Sequence, residues 1–170
     1  MKTMSFDLQP VLNGERLLLR PLSPDDVDGL YAAAADPLIW AQHPASNRHE
    51  LPVFRQFFDA AMASRGALAV IDKASGAIIG SSRFHGYDPE RREVEIGWTF
   101  LARRYWGGDF NREMKALMLA HAFQHVRRVV FLIGPDNIRS QRAVQKIGGV
   151  KIGERMNGDG LKSDVYAVSA

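Results

Sequence analysis

Between Glu93 and Leu101 apolar and polar residues alternate, with Val94, Ile96, Trp98 and Phe100 on one face of a strand and Glu93, Glu95, Gly97 and Thr99 on the other. Upstream the period changes. Phe54, Phe57, Phe58, Ala61 and Met62 recur at i, i+3, i+4, i+7 and i+8, an amphipathic helix closed by Ser64-Arg65-Gly66. An earlier helix opens with Ser23 as N-cap, Pro24 at its first position and Asp25 and Asp26 in its first turn; Val27, Leu30, Tyr31 and Ala34 keep helical spacing until Asp36-Pro37 stops it. A strand over 15–22 precedes that helix, and a loop over 38–50 follows it. Strands are predicted over 67–71 and 77–84, joined by a turn at Lys73–Gly76. After a loop over 102–108 the pattern predicts a helix over 109–126, a buried β-branched strand over 128–133, a helix over 137–147, and strands near 150–155 and 162–168. The order is β-α-α-β-β-β-α-β-α-β-β: one α/β (α+β) domain over residues 1–170, with a mixed sheet. The strands at 93–101 and 128–133 should lie parallel through a right-handed crossover.

Cysteine is absent, which removes disulfides, thiolate metal sites and a cysteine nucleophile. No apolar run reaches the roughly 20 residues of a membrane span, and the N-terminus lacks the apolar stretch of a signal peptide, so a cytoplasmic protein without a membrane partner is expected. Net charge is +3, unevenly placed: residues 1–66 carry six Lys/Arg against eight Asp/Glu, residues 67–170 sixteen against eleven. A basic C-terminal part suits a polyanionic ligand. Nucleic acid would suit it too, but no helix-turn-helix, zinc or RNP-like signature is present, and no nucleic-acid partner is expected. His121 and His125, four apart on a helix, have no Glu after the first and no third ligand at a recognisable distance, so no metal is expected.

The segment Arg103-Arg104-Tyr105-Trp106-Gly107-Gly108-Asp109 connects a strand end to a helix start. Adjacent glycines let the backbone turn sharply and approach a ligand closely. Free N–H groups and the positive end of the helix dipole make such a junction an anion site; a plain steric turn is the other reading. The segment resembles the acetyl-CoA loop of the GNAT superfamily, Q/R-x-x-G-x-G/A, through Arg104 and Gly107. Val94-Glu95-Ile96-Gly97-Trp98 resembles the V-E-I-G-Y strand of the ribosomal-protein N-terminal acetyltransferase (Rim-type) branch, and Tyr105-Trp106-Gly107 its Y-W-G. Glu113 matches a Glu of that branch, and Asn137-Ile-Arg-Ser140 with Lys146-Ile147-Gly148 its N-x-x-S…K-x-G segment. The likeness runs from about residue 15 to 168. Three positions depart from it: Asp109 at the last Gly/Ala of the signature, Val144 where many members have a Tyr acid, and Gly149 for the usual Phe.

The resemblance implies a mostly antiparallel sheet of about seven strands with four helices, acetyl-CoA as co-substrate, and direct acetyl transfer to an amine acceptor, a protein N-terminus or a small molecule; an acyl-CoA-binding module without turnover is the alternative. It places Trp98, Phe100, Arg103, Arg104, Trp106, Gly107, Gly108, Asp109, Asn137, Ser140 and Arg142 at the cofactor, and Trp40, His43 and His85 at the acceptor. Glu95 is the candidate base, or else a strand carboxylate paired with Arg83. Ser140 is the candidate donor to the leaving thiolate, or else a helix-start serine bonding to the backbone. Gly97 is expected to mark a bulge that frees an N–H for the thioester oxyanion. Asp109 either caps its helix or faces the phosphates. Arg139, Arg142 and Lys146 share one helix face, near the phosphates or simply solvated. An exposed sheet edge leaves a homodimer possible.

Overall fold

The computed structural model describes residues 6–156 and 160–170. One sheet runs through the molecule. Its strands are β1 (Leu12–Asn13), β2 (Leu17–Pro21), β3 (Ala67–Asp72), β4 (Ile78–Asp88), β5 (Glu93–Leu101), β6 (Arg128–Ile133), β7 (Val150–Met156) and β8 (Lys162–Ser169). They lie side by side as β1-β2-β3-β4-β5-β6-β8-β7. All neighbours are antiparallel except β5 and β6, which are parallel as the intervening helix requires. The eighth strand is the two-residue β1, too short for the hydrophobic pattern to register.

Helices α1 (Val27–Ala34) and α2 (Leu51–Ser64) cover one face, and α3 (Asp109–Ala122) and α4 (Ile138–Lys146) the other. Ser23 opens the first helical segment through a capping box, accepting from the Asp25 amide while Asp26 accepts from its own. That opening turn, Pro24–Asp26, is a 3₁₀ helix rather than α. Arg65, at φ 53°, closes α2 in the left-handed conformation. On the first face Leu30, Ala34, Phe54, Phe57, Phe58 and Ala61 pack onto Ala67, Ala69 and Phe100. On the second, Met114, Met118, Ala122 and Val144 pack onto Leu17, Leu19, Leu68, Val70, Val94 and Ile96. The helix expected to reach residue 126 ends at Ala122; His121 and His125 lie against Phe6, and His121 Nε2 lies 2.8 Å from the Asp7 carbonyl.

The alternation across β5 breaks. Gly97 faces Arg83 on β4 while Phe100 faces Ser81, so β5 carries one residue more than its partner. Trp98, at φ 52°, sits in this bulge. Val94 and Ile96 therefore lie with α3 and α4, whereas Trp98 and Phe100 turn to the α1/α2 face. The single-face expectation for these four residues is corrected by that inserted residue.

Candidate active site

The pairing of β5 with β6 stops early. It covers Glu93–Arg128, Val94–Val129 and Glu95–Val130 and goes no further, although both strands continue. From Ile96 onward β5 has no ladder partner on that side, and from Phe131 neither does β6. The gap between the parting strands opens a cleft of about 1310 Å³ reaching both faces of the sheet. On the α3/α4 side its wall includes Trp106, Gly107, Gly108, Lys115, Ser140 and Arg142; on the other side it includes His43, Arg48, His85, Glu95 and Trp98.

Gly107 has φ +70°, and at both Gly107 and Gly108 a Cβ would meet nothing within 4 Å. The backbone here is bare toward the cleft. Gly108 caps α3, and no side chain closes the helix start, so its amides remain available to an anion. The diphosphate of coenzyme A fits such a cradle. Asp109 is not the cap, one of the two positions expected of it. It is the first residue of the helix, and its carboxylate reaches Arg16 at 3.5 Å and Arg112 at 3.6 Å, outside the cleft wall. Trp106 is held by its indole N–H on the Leu101 carbonyl at 2.8 Å, and the Arg139 guanidinium stacks 3.7 Å from its ring centre.

Arg103 and Arg104 are not brought to the cleft wall. Arg103 is ion-paired with Asp36, and Arg104 lies over the Tyr105 ring, donating to its hydroxyl at 2.8 Å. Tyr105 in turn donates to buried Asp72 at 2.9 Å. Phe100 lines the cleft while packing against Trp40 and Phe57. Asn137 lines it too; its side chain caps α4 by accepting from the Ser140 amide. The Ser140 hydroxyl makes no hydrogen bond among the described residues and faces the cleft, as do Arg142 and Lys146. Val144 is buried in the core, and a Cβ on Gly149 would come within 2.3 Å of its Cγ1. The two departures are thus one packing solution: the valine fills the space that a side chain at 149 would need.

On the opposite side, Glu95 stands at the last paired rung, beside His85 on β4. It has no ion pair with Arg83, the alternative expected from sequence; Glu93 takes the available cations, Arg128 at 2.9 Å and Arg155 at 3.6 Å. A Cβ at Gly97 would crowd the Glu95 carboxyl at 3.0 Å, so the glycine makes room for it. Burial pushes the Glu95 carboxyl up to about 7, against the smaller opposing pull of Arg155 and Arg83. His85 meets the Trp98 ring edge-on at 5.3 Å. His43 lines the cleft, its Nδ1 accepting from the Ala45 amide, and burial with help from Arg48 and Arg139 pushes its imidazole down to about 4, leaving it neutral. Trp40 is a core residue, 2% exposed, with its N–H on the Ala34 carbonyl; it reaches the site through His43, Arg48 and Phe100, which pack against its ring.

Sequence reasoning missed Arg48 and Lys115. Lys115 is buried in the cleft wall on α3, its ammonium donating to Thr99 Oγ1 at 3.1 Å and lying 5.1 Å from the Phe131 ring centre. Its place in the helix stripe beside Met114 and Met118 was the available signal. Among the described residues no group of three or more His, Cys, Asp or Glu stands where it would hold a metal ion, and no helix is long and apolar enough to cross a membrane.

A sheet parted between parallel strands, with a bare helix start on one side and an elevated carboxyl on the other, is the architecture of an acyltransferase. The domain profile "Acetyltransferase (GNAT) domain" matches residues 16–150, and the chain belongs to that family, whose chemistry is acetyl-CoA-dependent acetyl transfer. A Bacillus subtilis protein described as an uncharacterized N-acetyltransferase, YoaA, is 22% identical over 94% of this chain and 96% of its own. Among solved structures, a GCN5-related N-acetyltransferase from Brucella melitensis superposes with a TM-score of 0.83 at 22% identity, covering 95% of this chain and 79% of that one. Mycobacterium smegmatis RimJ, solved in complex with CoA-disulfide, superposes with a TM-score of 0.67 at 18% identity, over 91% and 82%. The expected likeness to the Rim-type branch is borne out at the level of the fold.

Proposed function

We propose that this acetyltransferase passes the acetyl group of acetyl-CoA directly to a primary amine, without an acyl-enzyme intermediate, and that Glu95 is its base. The observation that carries this reading is the Glu95 carboxyl itself, unpaired at the rung where β5 and β6 part. An alkylammonium has a pKa of about 10, so roughly one molecule in a thousand is nucleophilic at neutral pH. That handicap is about 4 kcal/mol of barrier. A carboxylate whose affinity for protons is set near neutrality accepts the amine proton directly or through one water. As nitrogen attacks, the thioester carbonyl becomes an oxyanion, and backbone amides at the Gly97–Trp98 bulge, where β5 has no β6 partner, supply the donors. The C–S bond then breaks, and the Ser140 hydroxyl donates a hydrogen bond to the departing thiolate, which is released as the anion or takes its proton from solvent. Gly107, Gly108 and Trp106 bind the diphosphate end of the donor, with Asn137 and Arg142 along its length. His43, His85 and Trp98 wall the acceptor.

Glu95→Gln should lower turnover about 10²–10⁴-fold with the coenzyme A dissociation constant unchanged. In the parent enzyme kcat/KM should fall as pH drops below about 7, because protonating Glu95 removes the base, and the variant should lose that limb. A loss under about threefold would remove Glu95 from the role. One observation, the burial of Val144 where many members carry a tyrosine acid, favours a coenzyme-binding module without turnover. Thermal stabilisation by coenzyme A with no thiol released across an amine panel would decide for it.

A further inference from the structure

The acceptor side of the cleft holds more positive charge than its carboxylate balances. Arg48 lines the cleft, its guanidinium carbon 4.4 Å from the Phe57 ring centre and 5.2 Å from that of Trp40. Arg83, 5% exposed, stacks 4.2 Å from the Trp98 ring centre and approaches the other flank of the acceptor wall at Phe57, 6.0 Å away. Neither guanidinium makes an ion pair or a hydrogen bond among the described residues, and the Nε atoms of both are buried without a partner. Buried cations are ordinarily paired, because desolvating one without compensation is expensive. Here each is held by aromatic faces alone. The other charged or titratable groups facing this space are Glu95, the neutral His43, His85 and Arg139, with Arg155 acting on Glu95 from β7 while paired to Glu93.

Resting on the transfer reading above, we propose that the acceptor is a primary amine that also carries a carboxylate, which Arg48 binds with Arg83 adding its field from behind Trp98, while the amine faces Glu95. A guanidinium offers a planar fork of donors matched to a carboxylate, and stacking on Phe57 orients that fork without consuming its N–H groups. The single carboxylate nearby sets the size of the counter-charge: one monoanion balances the pair of arginines against Glu95, whereas a phosphomonoester dianion would crowd that base. Burial pushes Arg48 and Arg83 down to about 10, so both remain cationic at neutral pH.

The test uses the whole chain saturated with coenzyme A, so that binding is read without turnover. Calorimetry compares free amino acids with their amides, and peptides beginning with Asp with the same peptides beginning with Asn. The first arm reports a free amino acid as the source of the carboxylate, the second a protein N-terminus. In at least one arm the carboxylate member should bind about tenfold or more tightly than its neutral counterpart. Arg48→Gln should erase that preference, and Arg48→Lys should retain part of it. Equal affinity of acid and amide in both arms overturns the proposal, as does tighter binding of an aminoalkyl phosphate, or a preference that survives Arg48→Gln. The parent comparison needs no variant to fold. Thiol release from acetyl-CoA, measured separately, judges the transfer reaction: carboxylate preference without release leaves this inference standing and sinks that one.

Discussion

Lys115 shows what the fold tolerates to build its cleft. The ammonium is enclosed between Thr99, itself 2.8 Å from the Ser82 hydroxyl, and the Phe131 ring, and burial pushes it down to about 7 from the 10.5 of a free lysine. The folded state therefore releases this proton more readily than the unfolded chain. Above the unfolded value Lys115 costs nothing in charge; as pH falls toward 7 the unfolded chain takes up the proton first and stability is lost; below 7 the loss is complete. Lys115→Met should accordingly gain on the parent by a few kcal/mol in urea unfolding at pH 6–7, with the gap closing near pH 10–11. A gap independent of pH would show that packing, not charge, separates the two. Single residues were also where sequence reading fell short. Arg103 and Arg104 flank the glycine turn, yet the first is drawn off by Asp36 and the second by Tyr105 and its link to Asp72. Asp36 and Asp72 lie far away along the chain, and no local pattern announces them. The resemblance assigns Trp40 to the acceptor; its ring fills the core.

Elements were more legible than residues. The amphipathic stripe of α2, the β-branched run of β6 and the glycine turn before α3 each have a local cause, and they appear where the sequence pattern places them. The bulge in β5 was half visible: Gly97 signalled it, but the unbroken alternation concealed that Trp98 would change sides. Register is a property of two strands, and only pairing with β4 reveals the extra residue. The joint between α3 and the sheet is similar. Glu113, noticed only through resemblance, accepts from the amides of Arg16 at 2.9 Å and Leu17 at 2.7 Å, fastening the start of β2 to the N-terminal half of the helix that follows the glycine turn. Glu113→Ala leaves two backbone donors without that partner and should cost about 1–3 kcal/mol in denaturant unfolding, with the slope m unchanged. Glu113→Gln, which keeps one acceptor oxygen, should cost less. An alanine variant as stable as the parent would mean that water replaces the carboxylate at no expense.

At the scale of the whole molecule, the fold follows from element order: the single adjacent parallel pair in an otherwise antiparallel sheet comes from the β5–α3–β6 crossover, and the cleft forms where that pair separates. Its shape has a kinetic consequence. Because the opening passes through the sheet rather than into it, the proposed transfer would give thioester and amine separate doors, one under α3 and α4 and one beside α2. Neither reactant needs to leave before the other arrives. Initial-rate lines at several fixed amine concentrations should thus intersect when plotted reciprocally against acetyl-CoA; parallel lines, the mark of a relay through a modified enzyme, would contradict a two-door passage. The same geometry lets spent coenzyme and acetylated product depart independently, so neither should be trapped behind the other.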